Sequence, residues 1–232
     1  MASIVDSIRS VYQDNYSLLK LGVFSYVLYL LYSMIVPGES FSLVNAVVWI
    51  TIFYIYLGFC SIIMSNRINQ RIQTLPPIDP VLFFSVATKA LIISLPFILI
   101  GFFVVSFVVG LFNFEGVPQL VAIWLIRFFI LAVLVTALIN FNQNYVLKDG
   151  FDASKIVAGV ADVLVYTVVC LLLIAIYSLF VVAPTLYLIY SFFKIGPLFN
   201  YVSVFFVTMN LAILSDYWGQ LHFDIESKNN YY

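Results

Sequence analysis

Charge is what this chain has least of. Charged side chains make up 9% of its 232 residues, against about a quarter in soluble domains, so it has too few to clothe a globule in water. Its 10 Lys and Arg are balanced by 11 Asp and Glu, giving a net charge of -1, and the cations form no run that would track a phosphate backbone. Nucleic acid is therefore excluded as a partner. Histidine occurs once, as His222 in the motif WGQLHFD. A general base needs a nucleophile or metal ligands nearby, and the sequence holds no Cys/His/Asp cluster, glycine-rich phosphate loop or HExxH pattern. No catalytic residue, metal site or cofactor is expected, and His222 reads as a tail histidine beside an interfacial Trp218. The two cysteines, Cys60 and Cys170, both fall in apolar segments and read as small buried hydrophobes.

The amino terminus is equally uninformative about targeting. Met1 to Lys20 carries Asp6, Arg9 and Asp14 where a secretory signal would have a basic region, and no small-residue cleavage site follows the first apolar run. That run is expected to be a retained helix. Polar stretches never exceed about a dozen residues, too few to bury a core, so residues 1–232 read as a single membrane domain.

What is abundant is apolar length. The chain is 64% hydrophobic and 18% aromatic, with a mean hydropathy of +1.10. Six segments stand out: Leu21 to Val36, Phe41 to Met64, Ala90 to Phe112, Leu120 to Phe141, Val160 to Val182 and Leu198 to Leu214. Most approach the ~20 residues that cross ~30 Å of hydrocarbon. In lipid every backbone polar group must be satisfied within its own segment, so these segments must be helices. The fold class is all-α, an integral membrane bundle of six spans.

If the amino terminus is cytoplasmic, Arg9, Lys20, Arg67, Arg71, Lys89, Lys148, Lys155 and Lys228 lie inside and only Lys194 lies in an outer loop. That bias places both termini in the cytoplasm. The outer turns, Pro37 to Ser40 and Asn113 to Gln119, are short and carry Glu39 and Glu115, which ties neighbouring helices into hairpins. Ala183 to Pro197, bracketed by Pro184 and Gly196-Pro197, reads as a piece lying at the outer interface, where its tyrosines are favoured.

On the inner side, Ser3 to Leu19 spaces Ile4, Ile8, Val11 and Tyr12 at helical intervals, with Asp6, Arg9, Gln13 and Asp14 opposite. That is an amphipathic helix suited to the interface plane. Asp79-Pro80 and Asp152 supply N-cap chemistry before two further elbows, Val81 to Ala87 and Ala153 to Val160. Lys20, Lys89 and Lys155 follow one another at intervals of 69 and 66 residues, the spacing of a ternary repeat, although caps and the positive-inside rule alone also place them there.

Arg127 and Asp162 are the ionisable residues deepest in the spans. A guanidinium at the bilayer centre costs about 2.5 to 3.5 kcal/mol on insertion scales, and rise per residue puts the two groups within about 10 Å in height. They form a candidate intramembrane pair, either facing a substrate or locking two helices. Asn140, with Asn142, Gln143 and Asn144, clusters at the inner end of the fourth span, and Asn210 lies on the sixth with Asp216. Such amides either line a polar vestibule or hydrogen-bond across helices. Pro96 in the third span removes a backbone donor and is a candidate hinge.

Three stretches carry a resemblance: QDNYSLLKLG entering the first span, LPPIDPVLFFSVATKALIISLPF entering the third, and LSDYWGQLHFD after the sixth. They resemble a family of polytopic membrane proteins of bacteria and archaea, a domain of unknown function that looks related to the membrane domain fused to glycerophosphodiester phosphodiesterases. Its most specific marks here are Leu75-Pro76 with Lys89-Ala90, and Gly219-Gln220-Leu221. Around the LP pair this chain has Gln70 to Thr74 and Ile78 where the family has an acidic, tryptophan-bearing loop, and the phosphodiesterase's catalytic residues are absent. The resemblance implies a prokaryotic inner membrane and a topology, but no activity.

Two functions are therefore expected in order. One is a non-enzymatic scaffold, assembly or lipid-interacting protein whose partners are the lipid bilayer and another membrane protein. The other is a small transporter or lipid-translocating protein built on Arg127 and Asp162. A hydrated cavity beside Arg127 would favour the transporter, since a polar solute needs one at the midplane.

Overall fold

In the computed structural model, residues 2–35, 42–71, 73–77, 79–112, 116–193 and 196–229 are described. Val36, Phe41, Glu39, Glu115 and Lys194, and with them most of the expected outer turns, lie outside that set. Among the described residues the chain is helical throughout. The helices are α1 (Ile4–Gln13), α2 (Ser17–Ser33), α3 (Leu43–Ile68), α4 (Pro80–Phe112), α5 (Val117–Asn142), a single turn α6 (Leu147–Gly150), α7 (Ala153–Tyr177), α8 (Ala183–Phe193) and α9 (Gly196–Asn229).

The helices begin where side-chain caps supply acceptors for orphan amides. Ser3 Oγ accepts from Asp6 N, Asp79 Oδ1 from Val81 N and Leu82 N, and Asp152 Oδ1 from Ser154 N and Lys155 N. Five helices are long and apolar enough to cross a membrane, and a sixth span exists if α1 and α2, bent at 90°, count as one broken element. The protein is an all-α, multi-pass membrane bundle.

Several sequence expectations change. Of the three elbows only the first is a corner, because Tyr16 adopts a left-handed φ of 59° between α1 and α2. Val81 to Ala87 and Ala153 to Val160 instead continue straight into α4 and α7, since neither stretch contains a residue that breaks the ladder before its span. The apolar face of α1 packs in part on the bundle: Ile4 and Ile8 are half-buried, while Tyr12 is exposed. Val11 is fully buried with Leu21, Phe59, Ile63, Leu75, Met209 and Ile213. Ala183 to Phe193 is not an interfacial piece but the continuation of α7. The two join through a π-turn, Ser178–Val182, where Ala183 N donates to Ser178 O, and the helix runs unbroken from Ala153 to Ser191. Pro184 has no N–H for the Phe180 carbonyl, and a register shift beside it is the usual accommodation. The segment from Gly219 on, expected as a tail, is the last part of α9, which reaches Asn229.

α3 packs against α9 and α4, α4 against α5, α5 against α7, and both α1 and α2 against α9. Burial within these helices is uneven. On α5 every residue from Ala132 to Asn142 except Val133 is buried, whereas Leu120, Val121, Trp124, Leu125 and Phe129 are exposed. On α4 the change falls at Pro96: Val86, Ala87, Ala90, Ile93 and Ser94 are buried, and Ile98 to Ile100, Phe102, Phe103 and Phe107 are exposed. One end of the bundle is a packed core; at the other, α4 and α5 turn most of their side chains outward, and a smaller cluster of Leu28, Val48 and Ile52 packs α2 against α3.

Candidate functional site

The packed end gathers every helix junction that the structure describes there. Ser3 N donates to Gln220 Oε1 at 2.8 Å and Leu75 N to Asp14 Oδ2 at 2.6 Å. Asn69 Nδ2 reaches Gln143 O at 3.4 Å, Lys89 Nζ reaches Tyr145 O at 3.4 Å, and Gln143 Nε2 lies 3.1 Å from His222 Nδ1. The amino-terminal helix, the α3–α4 link, the α5–α7 link and the end of α9 are thereby stitched together.

At the centre is Asp216, completely buried on α9. A buried carboxylate is tolerated only with donors around it. Its Oδ2 accepts from Gln220 Nε2 at 3.0 Å, its Oδ1 accepts from Ser10 Oγ at 3.3 Å, and Arg67 Nε lies 3.9 Å away. Gln220, one turn on, also donates to Ser7 Oγ at 2.7 Å, while Ser10 is hydrogen-bonded to Thr74. The network forms because α9 can approach α3 closely. A Cβ on Gly219 would lie 2.7 Å from Arg67 Cβ and 3.0 Å from Met64 O, so only glycine seats Asp216 beneath Arg67.

The end of α3 turns back by a Schellman motif. Arg71 N donates to Asn66 O at 2.9 Å and Gln70 N to Arg67 O at 3.1 Å, with Gln70 in the left-handed region at φ 51°. Glycine is the usual occupant of that position. The turn brings Arg71 over the helix end beside Arg67, where Arg71 Nη1 reaches Asn66 Oδ1 at 3.3 Å. Above the buried network opens a basin of about 790 Å³ whose walls include Arg9, Ser10, Arg67, Arg71, Thr74 and Gln220. Asp6, Asp14 and Asp224 share the wall. Asp14 is engaged on both oxygens, by Lys20 Nζ at 2.7 Å and by Leu75 N, and Asp224 Oδ2 takes Ala2 N at 2.7 Å.

The residues singled out from sequence are placed differently. Arg127 is exposed on α5, with its guanidinium 5.9 Å from the Trp124 ring centroid. It is not brought together with Asp162: the ion pairs formed among the described residues are Lys20–Asp14 and Arg67–Asp216. The difference in height is the one expected, but the Arg127 side chain turns outward. Gly159 of α7 faces Thr136 of α5, a Cβ there lying 2.9 Å from the threonine methyl. In this antiparallel pair Asp162 is level with residue 133, which leaves about 9 Å of rise to Arg127. Asn140 is buried with its Nδ2 unpartnered, and Asn142 Nδ2 contacts Met64 Sδ at 3.6 Å. Asn210 Nδ2 donates to Ser178 Oγ at 3.3 Å, tying α9 to the π-turn. These amides sit between helices, and none of them lines the basin. Pro96 stays inside an unbroken α4, with Ser94 Oγ donating to Ala90 O at 2.8 Å. His222 is buried rather than free on a tail.

In the sequence Asp216 stands out only beside Asn210, Arg67 only in the charge bias and Gln220 only in the Gly219-Gln220-Leu221 mark, and nothing there joins the three. Two signals carried them: Asp216 and Gln220 are one turn apart on α9, and Ser3, Ser7 and Ser10 recur along one face of α1. Hydroxyls at helical spacing toward an acid and an amide at helical spacing are what two hydrogen-bonding helices look like.

Among the described residues no group of His, Cys, Asp and Glu is arranged to hold a metal ion. Compared with known protein families, with curated proteins and with solved structures, the chain matches none.

Proposed function

We propose that this chain is a non-enzymatic protein of a prokaryotic inner membrane, with both termini cytoplasmic, that works by interacting with lipid at the cytoplasmic face. The observation that supports this reading is where the polar groups lie. The buried network and the basin are at the end of the bundle that also carries Lys20, Arg67, Arg71, Lys89 and Lys155, the end that the positive-inside rule assigns to the cytoplasm. Headgroups lie at that depth. The non-enzymatic part rests on the absence of any catalytic motif in the sequence, and the prokaryotic inner membrane on the resemblance carried by the three stretches quoted above.

Transport through an Arg127 site gains no support, since the apolar groove nearest to it is lined by Phe97, Ile100, Val104, Ile126, Phe129 and Val133 without the arginine. A polar solute crossing there would meet hydrocarbon side chains.

The test is native mass spectrometry of the chain purified in mild detergent. Phospholipid retained through activation energies that strip detergent is the expected result. A bare protein that melts at the same temperature with and without added lipid would refute the reading.

A further inference from the structure

We propose that the basin between α1, the α3–α4 link and the end of α9 is a binding site for a phosphate group, held by Arg9, Arg67 and Arg71. This inference deepens the lipid reading by naming the chemistry of its site, and it is built so that it can stand when that reading falls.

The first argument is a count of donors against acceptors. A guanidinium presents five N–H donors and no acceptor. Arg9 makes no hydrogen bond or ion pair with a described residue, Arg71 uses one nitrogen on Asn66, and Arg67 reaches Asp216 only at 3.9 Å. The acids on the same wall have less to offer. Both Asp14 oxygens are taken and Asp224 Oδ2 is taken, while Asp6 is exposed in the first turn of α1. The basin therefore presents the fork of Arg9 and most of that of Arg71 with no described acceptor on them, beside Arg67, whose Nε is shared with Asp216. Planar guanidinium forks match the oxygens of phosphate bidentately, which a lysine ammonium does not.

The second argument is shape. A volume of about 790 Å³ falls within the ~300–1,000 Å³ of small-molecule sites. Its floor is preorganised, because Asp216, Gln220, Ser7 and Ser10 hold one another and hold Arg67 from below. Arg71 is set by the Schellman turn and Arg9 by α1, whose other face is anchored through Val11.

The third argument concerns the source of the phosphate. Gln70 and Arg71 also line a second pocket, which reaches Pro77. Pro77 in turn borders an apolar cleft of about 320 Å³ that includes Phe24, Val27, Ile55, Phe83 and Lys20. A polar site linked through that second pocket to an apolar cleft between α2, α3 and α4 suits an amphiphile, and a soluble phosphate ester would use the basin alone.

The experiment titrates the detergent-purified full chain with inorganic phosphate, with a short-chain phosphatidic acid, and with the matching diacylglycerol that lacks phosphate. Saturable binding of a phosphate-bearing probe, and none of the diacylglycerol, is expected. Arg9→Gln and Arg71→Gln should each weaken it about tenfold, and Lys155→Gln, remote from the basin, should leave it unchanged. These variants leave Asp216 and its partners intact, and an unchanged melting temperature confirms that they fold. Preference for phosphatidic acid over inorganic phosphate supports both the site and a lipid headgroup as its ligand. Equal binding of the two supports the site and counts against the lipid reading. If no phosphate probe binds saturably, or the Arg9→Gln/Arg71→Gln double variant binds as tightly as the wild type, the inference is overturned.

Discussion

The two ends of the bundle are made of helices of similar hydropathy, yet one end is packed across all its helices and the other is more open, packed mainly where Leu28, Val48 and Ile52 join α2 to α3. In α5 the sequence Ala132 to Asn142 is buried, while Trp124, Leu125 and Phe129 a few turns away face outward. In α4 the same contrast divides Ala87, Ala90 and Ser94 from Phe102, Phe103 and Phe107. Apolarity does not choose where helices meet, because lipid tails are as apolar as leucine. Small and polar residues choose. The packed end holds Gly58, Gly159 and Gly219, each with a neighbouring side chain inside 3 Å of where a Cβ would stand. It also holds Ser7, Ser61, Ser65, Ser215, Asp216 and Gln220, all buried. The open end is rich in phenylalanine and leucine; Gly101 still seats Ile130, a Cβ there lying 2.8 Å from its Cδ1, but at Gly110 a Cβ would meet nothing within 4 Å.

That contrast can be broken most forcefully with two matched substitutions. Gly219→Leu should destabilise the protein by about 3 kcal/mol or prevent its folding, since the Met64 carbonyl is backbone and cannot give way. Gly110→Leu should leave the melting temperature in detergent unchanged. Equal effects would show that close packing is not what separates the ends.

Asp216→Ala should follow, at about 1–3 kcal/mol, because Gln220 and Ser10 would each lose one acceptor and Arg67 its counter-charge. Asp216→Asn, which keeps an acceptor, should cost less. Chemical unfolding monitored by tryptophan fluorescence measures both.

Trp218→Phe removes the 2.9 Å bond from the indole N–H to Thr167 Oγ1, and a cross-helix bond in a membrane bundle is worth about 0.6 kcal/mol. Arg127→Leu, at the open end, should change stability by no more than about 0.5 kcal/mol. A loss as large as that of Asp216→Ala would mean that Arg127 is tied to something at that end.

The smallest effect is one of pH. Hydrogen bonding from Ser154 Oγ, then from the Lys155 and Ser154 amides, holds the Asp152 carboxyl below its usual range. A carboxyl lowered in the folded state stabilises at every pH above its ordinary value of about 3.9, and that contribution disappears as pH falls through the lowered value. Melting curves of the wild type and Asp152→Asn should therefore differ at neutral pH and converge once the pH has fallen through the lowered value.

Much of the architecture was legible in the residues. The spans, the caps at Asp79 and Asp152, and the gathering of cations at one end follow from hydropathy, side-chain acceptors and charge, which act locally. The sites of helix continuation were less legible. Pro184 reads as a break in sequence, and in the structure a π-turn absorbs it. The buried polar network was less legible for a related reason. Arg127 is conspicuous because its sequence neighbours are apolar, whereas Asp216 hides in a polar-looking stretch and becomes the most buried charge only when α1, α3 and α9 close over it.

The sequence by itself therefore determined that this is an all-α membrane protein and where its helices begin, because the bilayer and the backbone impose those terms segment by segment. Only the tertiary structure decided which polar residues would act together. Ser3, Ser7, Ser10, Arg67, Arg71 and Gln220 come from three elements far apart in the chain, and what unites them is the close approach that Gly219 allows and the need of one buried carboxylate for donors.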